Sequence, residues 1–158
     1  MADIRNYPEG RGAAVERYIK DVFVQFGFAK AIRTRFTLAQ LNAGQTLLPA
    51  LPGVKWSLLW AQFIAVGGAA TAATSVNIAA TQAAAAVQLW VVTIAALTRS
   101  AVVQTGVTPA AGSQTLLADG ASFAPNDSNT AVTLANVGSA MTTLTNIDVT
   151  YEYVAIAG

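Results

Sequence analysis

The chain has 158 residues, of which 54% are apolar and only 11% are charged, and its formal net charge is +1 at pH 7. A chain of this length and hydrophobicity can bury a sizeable core, so intrinsic disorder is excluded. The sequence has no His and no Cys, which excludes Cys/His zinc sites, catalytic triads that need either residue, and disulfides. The small net charge gives no reason to expect a nucleic-acid partner.

Charged residues divide the chain into two parts. Residues 1–35 hold seven of the nine basic and four of the eight acidic residues, whereas residues 36–158 hold only six charges. This contrast predicts an N-terminal arm, residues 1–35, and a body, residues 36–158. So few charges in the body favour a protein that buries surface against other copies or partners.

The arm contains a pattern typical of a short amphipathic α-helix. Its apolar residues recur at spacings of three and four, and we call them the apolar stripe: Val15, Tyr18, Ile19, Val22, Phe23 and Phe26. The opposite side carries Glu16, Arg17, Lys20, Asp21 and Gln25. Such a helix can fold onto its own body or dock on a neighbouring subunit, and the pattern leaves both open.

Alternating residues predict that the body is made of β-strands. The clearest alternations lie at residues 56–65, 75–78, 132–134 and 147–153. Turn signals separate the runs, at residues 42–44, 49–53, 67–68, 108–112, 119–120, 125–129 and 138–139. Short strands at this spacing predict an all-β sandwich or barrel.

One stretch fits more than one structure. Residues 79–86 are rich in Ala, the strongest helix former, and residues 87–97 follow without clean alternation. They form either a helix, or a loop followed by a strand. The β-branched residues 91–94 favour a strand over residues 87–97.

A long uncharged segment raises the question of a membrane-spanning helix. The 43 residues between Lys55 and Arg99 carry no charge. However, residues 56–73 are interrupted by Gln62 and two glycines, and residues 83–97 are shorter than the roughly 20 residues that a spanning helix needs. A buried β-core fits this segment better, so we expect no membrane insertion.

Candidate catalytic and metal-binding groups are scarce. Asp148 and Glu152 share one face of a predicted strand about 13 Å apart, which indicates a solvent-exposed strand face. Gly67, Gly68 and Gly106 lack the Lys-Ser/Thr of a phosphate-binding loop. Residues 119–129 offer oxygen ligands that suit calcium, but turn formation explains the same residues. We expect no enzyme activity, no cofactor and no metal site, with calcium at residues 119–129 kept as an alternative.

Two tryptophans are candidates for an interaction site. Simple alternation places Trp56 and Trp60 on the same face of one strand. Such a pair could stack on a sugar, but burial in a core or between subunits is the more common role of Trp.

The body also carries runs with a family likeness. They are FTLAQ (36–40), AGQTLLPALPGVK (43–55), VGG (66–68), SVNI (75–78), LADGASFAPNDSNTAVTL (117–134) and DVTYEY (148–153). Together these runs resemble small phage head decoration, or cement, proteins. The resemblance covers about residues 36–158 and implies a jelly-roll-like antiparallel β-sandwich, with residues 1–35 as an added arm.

The resemblance also implies a function. Decoration proteins of this kind bind the outer surface of the phage head as homotrimers and clamp adjacent subunits of the major capsid protein. On this interpretation the protein is a structural component of the virion. Its candidate capsid or inter-subunit contacts are Arg5, Arg11, Val15, Tyr18, Ile19, Val22, Phe23, Phe26, Trp56 and Trp60. The alternatives are a receptor- or glycan-binding module of a phage head or tail fibre, and a coat protein that forms the shell itself.

Overall fold

A computed structural model describes residues 29–104, 114–115 and 125–158, the pair 114–115 by its backbone alone. This part of the chain is mainly β, as expected. Its elements in chain order are β1 (Ala29–Thr37), α1 (Leu38–Ala43), β2 (Gln45–Leu48), β3 (Val54–Val66), β4 (Thr71–Gln82), β5 (Ala85–Thr93), β6 (Val102–Gln104), β7 (Gln114–Thr115), β8 (Val132–Thr142) and β9 (Asn146–Ala157). Among these residues, no helix has the length and apolarity needed to cross a membrane.

The strands form two antiparallel sheets. Sheet A has the order β1-β9-β3-β6, and sheet B has the order β2-β8-β4-β5-β7. β4 and β5 follow each other within sheet B, whereas β1, β2 and β3 alternate between the two sheets. The predicted strands at 56–65, 75–78, 132–134 and 147–153 lie within β3, β4, β8 and β9, respectively.

The core lies between the inner faces of the two sheets. Phe63 of sheet A and Trp90 of sheet B are fully buried, and their ring centroids are 4.6 Å apart. The Tyr151 hydroxyl of β9 donates a hydrogen bond to the carbonyl oxygen of Leu47 in β2, at 3.0 Å. Burial of these aromatic rings, together with this hydrogen bond, ties the sheets together.

The sandwich begins before the expected boundary between arm and body. β1 starts at Ala29 and pairs with β9 along its whole length, so residues 29–35 belong to sheet A and not to a separate arm. The reason is an alternation within the charged segment: Ile32 and Phe36 pack on the core, while Arg33 and Arg35 point outward. The predicted helix and the rest of residues 1–28 lie outside the described residues.

The ambiguous stretch at 79–97 forms a hairpin. β4 continues to Gln82, and β5 ends at Thr93 in a short 3-10 turn, Ile94–Ala96, so the predicted strand is too long at its C-terminal end. The two connecting residues, Ala83 and Ala84, have φ angles of 49° and 59°. Two-residue hairpins favour this left-handed conformation, which residues other than Gly, Asn and Asp rarely adopt.

The turn expected at residues 138–139 is not present, because β8 runs through them to Thr142. Gly138 instead occupies an irregular position in the pairing of β8 with β4. Its φ is +90°, and a Cβ atom there would lie 2.7 Å from the Thr74 hydroxyl oxygen. Glycine is therefore needed for a close approach between strands and does not mark a chain reversal.

Candidate interaction surface

The outward side of sheet A forms one continuous surface, which we call the outer face of sheet A. Directly paired residues of neighbouring strands point to the same side of a sheet. The register of sheet A therefore assigns to this face Arg33 and Arg35 of β1, Asp148, Thr150, Glu152, Val154 and Ile156 of β9, Lys55, Ser57, Trp60, Gln62 and Ile64 of β3, and Val102 and Gln104 of β6.

The two candidate tryptophans lie on opposite sides of β3, so the prediction that they share a face is wrong. The register of β3 against β9 shifts between Leu58 and Trp60. Such a β-bulge adds one residue and reverses the alternation beyond it. Trp56 therefore points into the core, and Trp60 points outward opposite Glu152.

Trp56 has a structural role. It is 7% exposed and meets Tyr153 edge-on, with ring centroids 5.4 Å apart. Its indole N–H donates to the carbonyl oxygen of Pro49 at 2.8 Å. Trp56 is thus unable to stack on a sugar, and of the two candidates only Trp60 offers its ring to the outer face.

Apolar side chains make up much of the outer face of sheet A. Trp60, Ile64 and Val154 are half-buried, while Val102 and Ile156 are exposed. Leu59, at the bulge, is 45% exposed. Exposed apolar side chains gathered on one face of a sheet often mark an interaction site.

One end of this face carries a tightly paired charge cluster. The Asp148 carboxylate accepts hydrogen bonds from Arg35 Nε at 2.6 Å and from Arg33 at 2.8 Å. Asp148 is only 4% exposed, so the expectation of a solvent-exposed carboxylate is wrong at this position. The hydrogen bond from Arg35 is the largest influence and lowers the pKa of Asp148 to about 2, although burial opposes the shift. The spacing of Arg33 and Arg35 on β1 was the signal for this cluster, but its acidic partner is more than 110 positions away.

The Asp148 cluster predicts acid-dependent stability. Because the pKa of Asp148 is lower in the folded protein than in the unfolded chain, its contribution is complete above about pH 4 and is lost as the pH falls towards 2. Both guanidinium groups are more than half exposed, so solvent screening limits the loss in Asp148→Asn to about 1–2 kcal/mol at pH 7. Urea unfolding from pH 7 to pH 2 tests this. The difference between wild type and variant should shrink below pH 4, and a constant difference would contradict the assignment.

The segment after residue 124 joins sheet A to the turn of the β4–β5 hairpin. Asn126 exchanges hydrogen bonds with the backbone of Trp56 in sheet A. The two carboxylate oxygens of Asp127 accept the N–H groups of Ala83 and Ala84, at 3.0 and 2.8 Å, which stabilises their unusual backbone conformation.

These contacts bear on the calcium alternative. The part of residues 119–129 that the structure describes uses Asn126 and Asp127 as hydrogen-bond partners of the backbone. Within the described ranges, no group of three or more acidic side chains comes together as a metal site would require. The roles of Asn126 and Asp127 are accounted for by chain packing.

The remaining candidate contacts, Arg5, Arg11 and the six residues of the apolar stripe, lie outside the described residues. No protein-family model, curated protein or solved structure matches the chain. The functional argument therefore depends on the strand order and on the surface chemistry of the sandwich.

Proposed function

We propose that this protein is a decoration protein of a phage head. It binds the outside of the capsid as a homotrimer and clamps adjacent subunits of the major capsid protein. The role is structural, not enzymatic. The observation that carries the proposal is the strand order of the two sheets.

This order is the one expected for a jelly roll, which we propose as the fold of the body. In an eight-stranded jelly roll the first, eighth, third and sixth strands form one sheet, and the second, seventh, fourth and fifth form the other. Omitting the two-residue β7 leaves β1-β9-β3-β6 and β2-β8-β4-β5, which follow the same order. Jelly rolls are common in viral capsid proteins, although a fold alone does not determine function.

The surface chemistry supports the same proposal. A body with six charges in residues 36–158 has little of the charged surface that keeps monomers apart. The outer face of sheet A adds exposed apolar side chains at Val102 and Ile156, and Leu59 at the bulge of β3 is exposed as well. Contacts with sister copies and with the shell would each be modest in area, and together they would reinforce one another through avidity.

The test combines oligomeric state with capsid binding. Light scattering of the purified chain at micromolar concentration should give three times the chain mass of 16.3 kDa. The trimer should co-sediment with purified expanded heads that lack it, and microscopy should place it outside the shell near three-fold positions. A monomer that does not co-sediment with the heads would contradict the proposal. Closed particles formed by the chain alone would favour the coat-protein alternative.

The arm has a separate expected role on the capsid. Deletion of residues 1–28, which leaves β1 intact, should weaken co-sedimentation with heads while the circular dichroism of the body is retained. The physical reason is that residues 1–28 hold four of the nine basic residues, including Arg5 and Arg11, together with the apolar stripe. Undiminished binding by the truncated protein would show that the arm does not contact the shell.

One observation favours a second candidate, a glycan-binding module. Trp60 is half-buried on the outer face beside the polar residues Glu152 and Gln62, and aromatic rings of this kind can stack on sugars. A glycan array probed with the wild type and with Trp60→Ala distinguishes the two functions. If the protein binds glycans and Trp60→Ala abolishes this binding, the glycan-binding function replaces the capsid proposal.

A further inference from the structure

We infer that the outer face of sheet A is a docking surface for the apolar stripe of the same chain. The helix predicted over residues 15–26 would lie over β9 and β3, with the stripe against the sheet and the polar side turned away from it. This inference does not depend on the capsid role, because it rests on the position at which the arm enters the sandwich. It assigns to the stripe the half of the face around Val154 and leaves the half around Ile64 and Val102 for contacts with other molecules.

The first argument is the reach of the chain. β1 begins at Ala29, which is paired with Val154 of β9, and Val154 is paired in turn with Ser57 of β3. Three residues separate Phe26 from Ala29, so their Cα atoms lie within about 11 Å. Neighbouring strands are about 4.8 Å apart. Phe26, the last residue of the stripe, is therefore within reach of the half of the outer face that Val154 and Ser57 occupy.

The second argument is the chemistry of that half of the face. Val154, Ile156 and Trp60 give it an apolar character, and Ile156 is 38% exposed. Ser57 is only 7% exposed although it points outward, so a small polar group here is already withdrawn from water. Docking would bury the apolar side chains of the stripe and of the sheet face against each other, so both would be removed from water.

The third argument is size and charge. Residues 15–26 as a helix would be about 18 Å long, which is sufficient to cross the roughly 14 Å between the outer strands of a four-stranded sheet. Of the charged side chains on the face, Arg33, Arg35 and Asp148 lie at the far end and are already paired. The docked stripe would not bury an unpaired charge from that cluster. Lys55 and Glu152 lie in the near half, where long side chains can keep their charged ends in water beside a docked helix. Gly27 lies between the stripe and β1 in the sequence, and glycine would tolerate the backbone angles of a chain reversal there.

The first experiment compares two charge insertions in the same segment of the full-length chain. Val22→Asp places a carboxylate in the stripe, whereas Gln25→Asp places it on the polar side. Acrylamide quenching of Trp60, isolated by subtracting the signal of a Trp60→Phe background, should rise about twofold in Val22→Asp, because the ring loses its apolar cover. It should stay at the wild-type value in Gln25→Asp. Equal quenching in both variants would overturn the inference.

The second experiment asks which chain supplies the stripe. The sequence has no Cys, so two engineered cysteines are the only thiols that a cross-linker can join within a chain. Ile19→Cys combined with Trp60→Cys should be joined by a short bis-maleimide within one chain at low protein concentration. The matched control, Ile19→Cys with Val137→Cys, uses an exposed residue of β8 in sheet B and should remain unlinked. Links between chains would overturn the same-chain assignment, and absence of any link to position 60, or equal links to both positions, would overturn the docking surface.

Discussion

Replacement of Trp90 by Ala is expected to lower the free energy of unfolding by about 4 kcal/mol. Trp90 is 1% exposed and lies against Phe63 across the space between the sheets. Truncation would leave a cavity at this junction, because the closely packed side chains around it relax only partially into the space. Since domains of this size are stable by about 5–15 kcal/mol, much of the native stability would be lost.

Urea unfolding followed by far-ultraviolet circular dichroism measures the loss. Trp60→Ala is the matched control, because the same side chain is removed from β3 on the outer face instead of from the core. It should cost about 1 kcal/mol, the range expected outside the core. If both substitutions cost the same, the assignment of Trp90 to the core and Trp60 to the outer face would be wrong.

Asn126→Ala is expected to destabilise the protein by about 3 kcal/mol, since it removes a buried hydrogen-bonding group. Asn126 is 2% exposed. Its Oδ1 accepts the backbone N–H of Trp56, and its Nδ2 donates to the carbonyl and hydroxyl oxygens of Thr130, both at 2.9 Å. Without the amide, the N–H of Trp56 would be buried without an acceptor, a cost that replacement by a methyl group does not offset.

The comparison for this prediction is Asn136→Ala. Asn136 is half-buried on β8, and its amide donates to the carbonyl oxygen of Ser139 in an exposed hydrogen bond at 3.0 Å. Loss of an exposed hydrogen bond leaves both groups to water, so the cost should be about 0.5 kcal/mol. Chemical denaturation of the two variants measures the loss of stability in each. A larger loss in Asn126→Ala shows that this amide links sheet A to the 126–130 segment, whereas Asn136 is an ordinary surface amide. If the two variants unfold at similar denaturant concentrations, Asn126 does not form such a link.

Together the two predictions describe a sandwich with two kinds of internal link. Trp90 and Phe63 connect the sheets through apolar packing, whereas Asn126 and Asp127 connect β3 to the β4–β5 hairpin through hydrogen bonds. Such links would keep the outer face of sheet A in a fixed shape. A rigid face is useful for the proposed role, because a surface that is already ordered loses less conformational entropy on binding.

Some expectations failed at positions where a local irregularity changes the outcome. Alternation correctly predicted a strand at 56–65, yet one extra residue near Leu59 moved Trp60 to the side opposite Trp56. A bulge is specified by the pairing with β9, and the residues of β3 alone do not reveal it. The same holds for Gly138, which resembles a turn signal and instead allows Thr74 of the neighbouring strand to come close.

The distribution of charge along the chain did not reveal where the sandwich begins. The concentration of charge in residues 1–35 suggested an arm that ends at residue 35, but Arg33 and Arg35 belong to β1. The charge concentration places them in the arm, and their partner Asp148 is too distant in the sequence to indicate otherwise. A buried carboxylate and two exposed arginines form one cluster only after β1 and β9 pair.

By itself, the sequence determined the mainly-β class and the positions of the principal strands, because period-two alternation is a local property that the backbone geometry of a strand imposes. The tertiary structure alone decided which strands are neighbours, which side Trp60 faces, and that Asp148 is withdrawn from water between two arginines. These features depend on contacts between residues far apart in the chain, and their energies exist only once the sheets have formed.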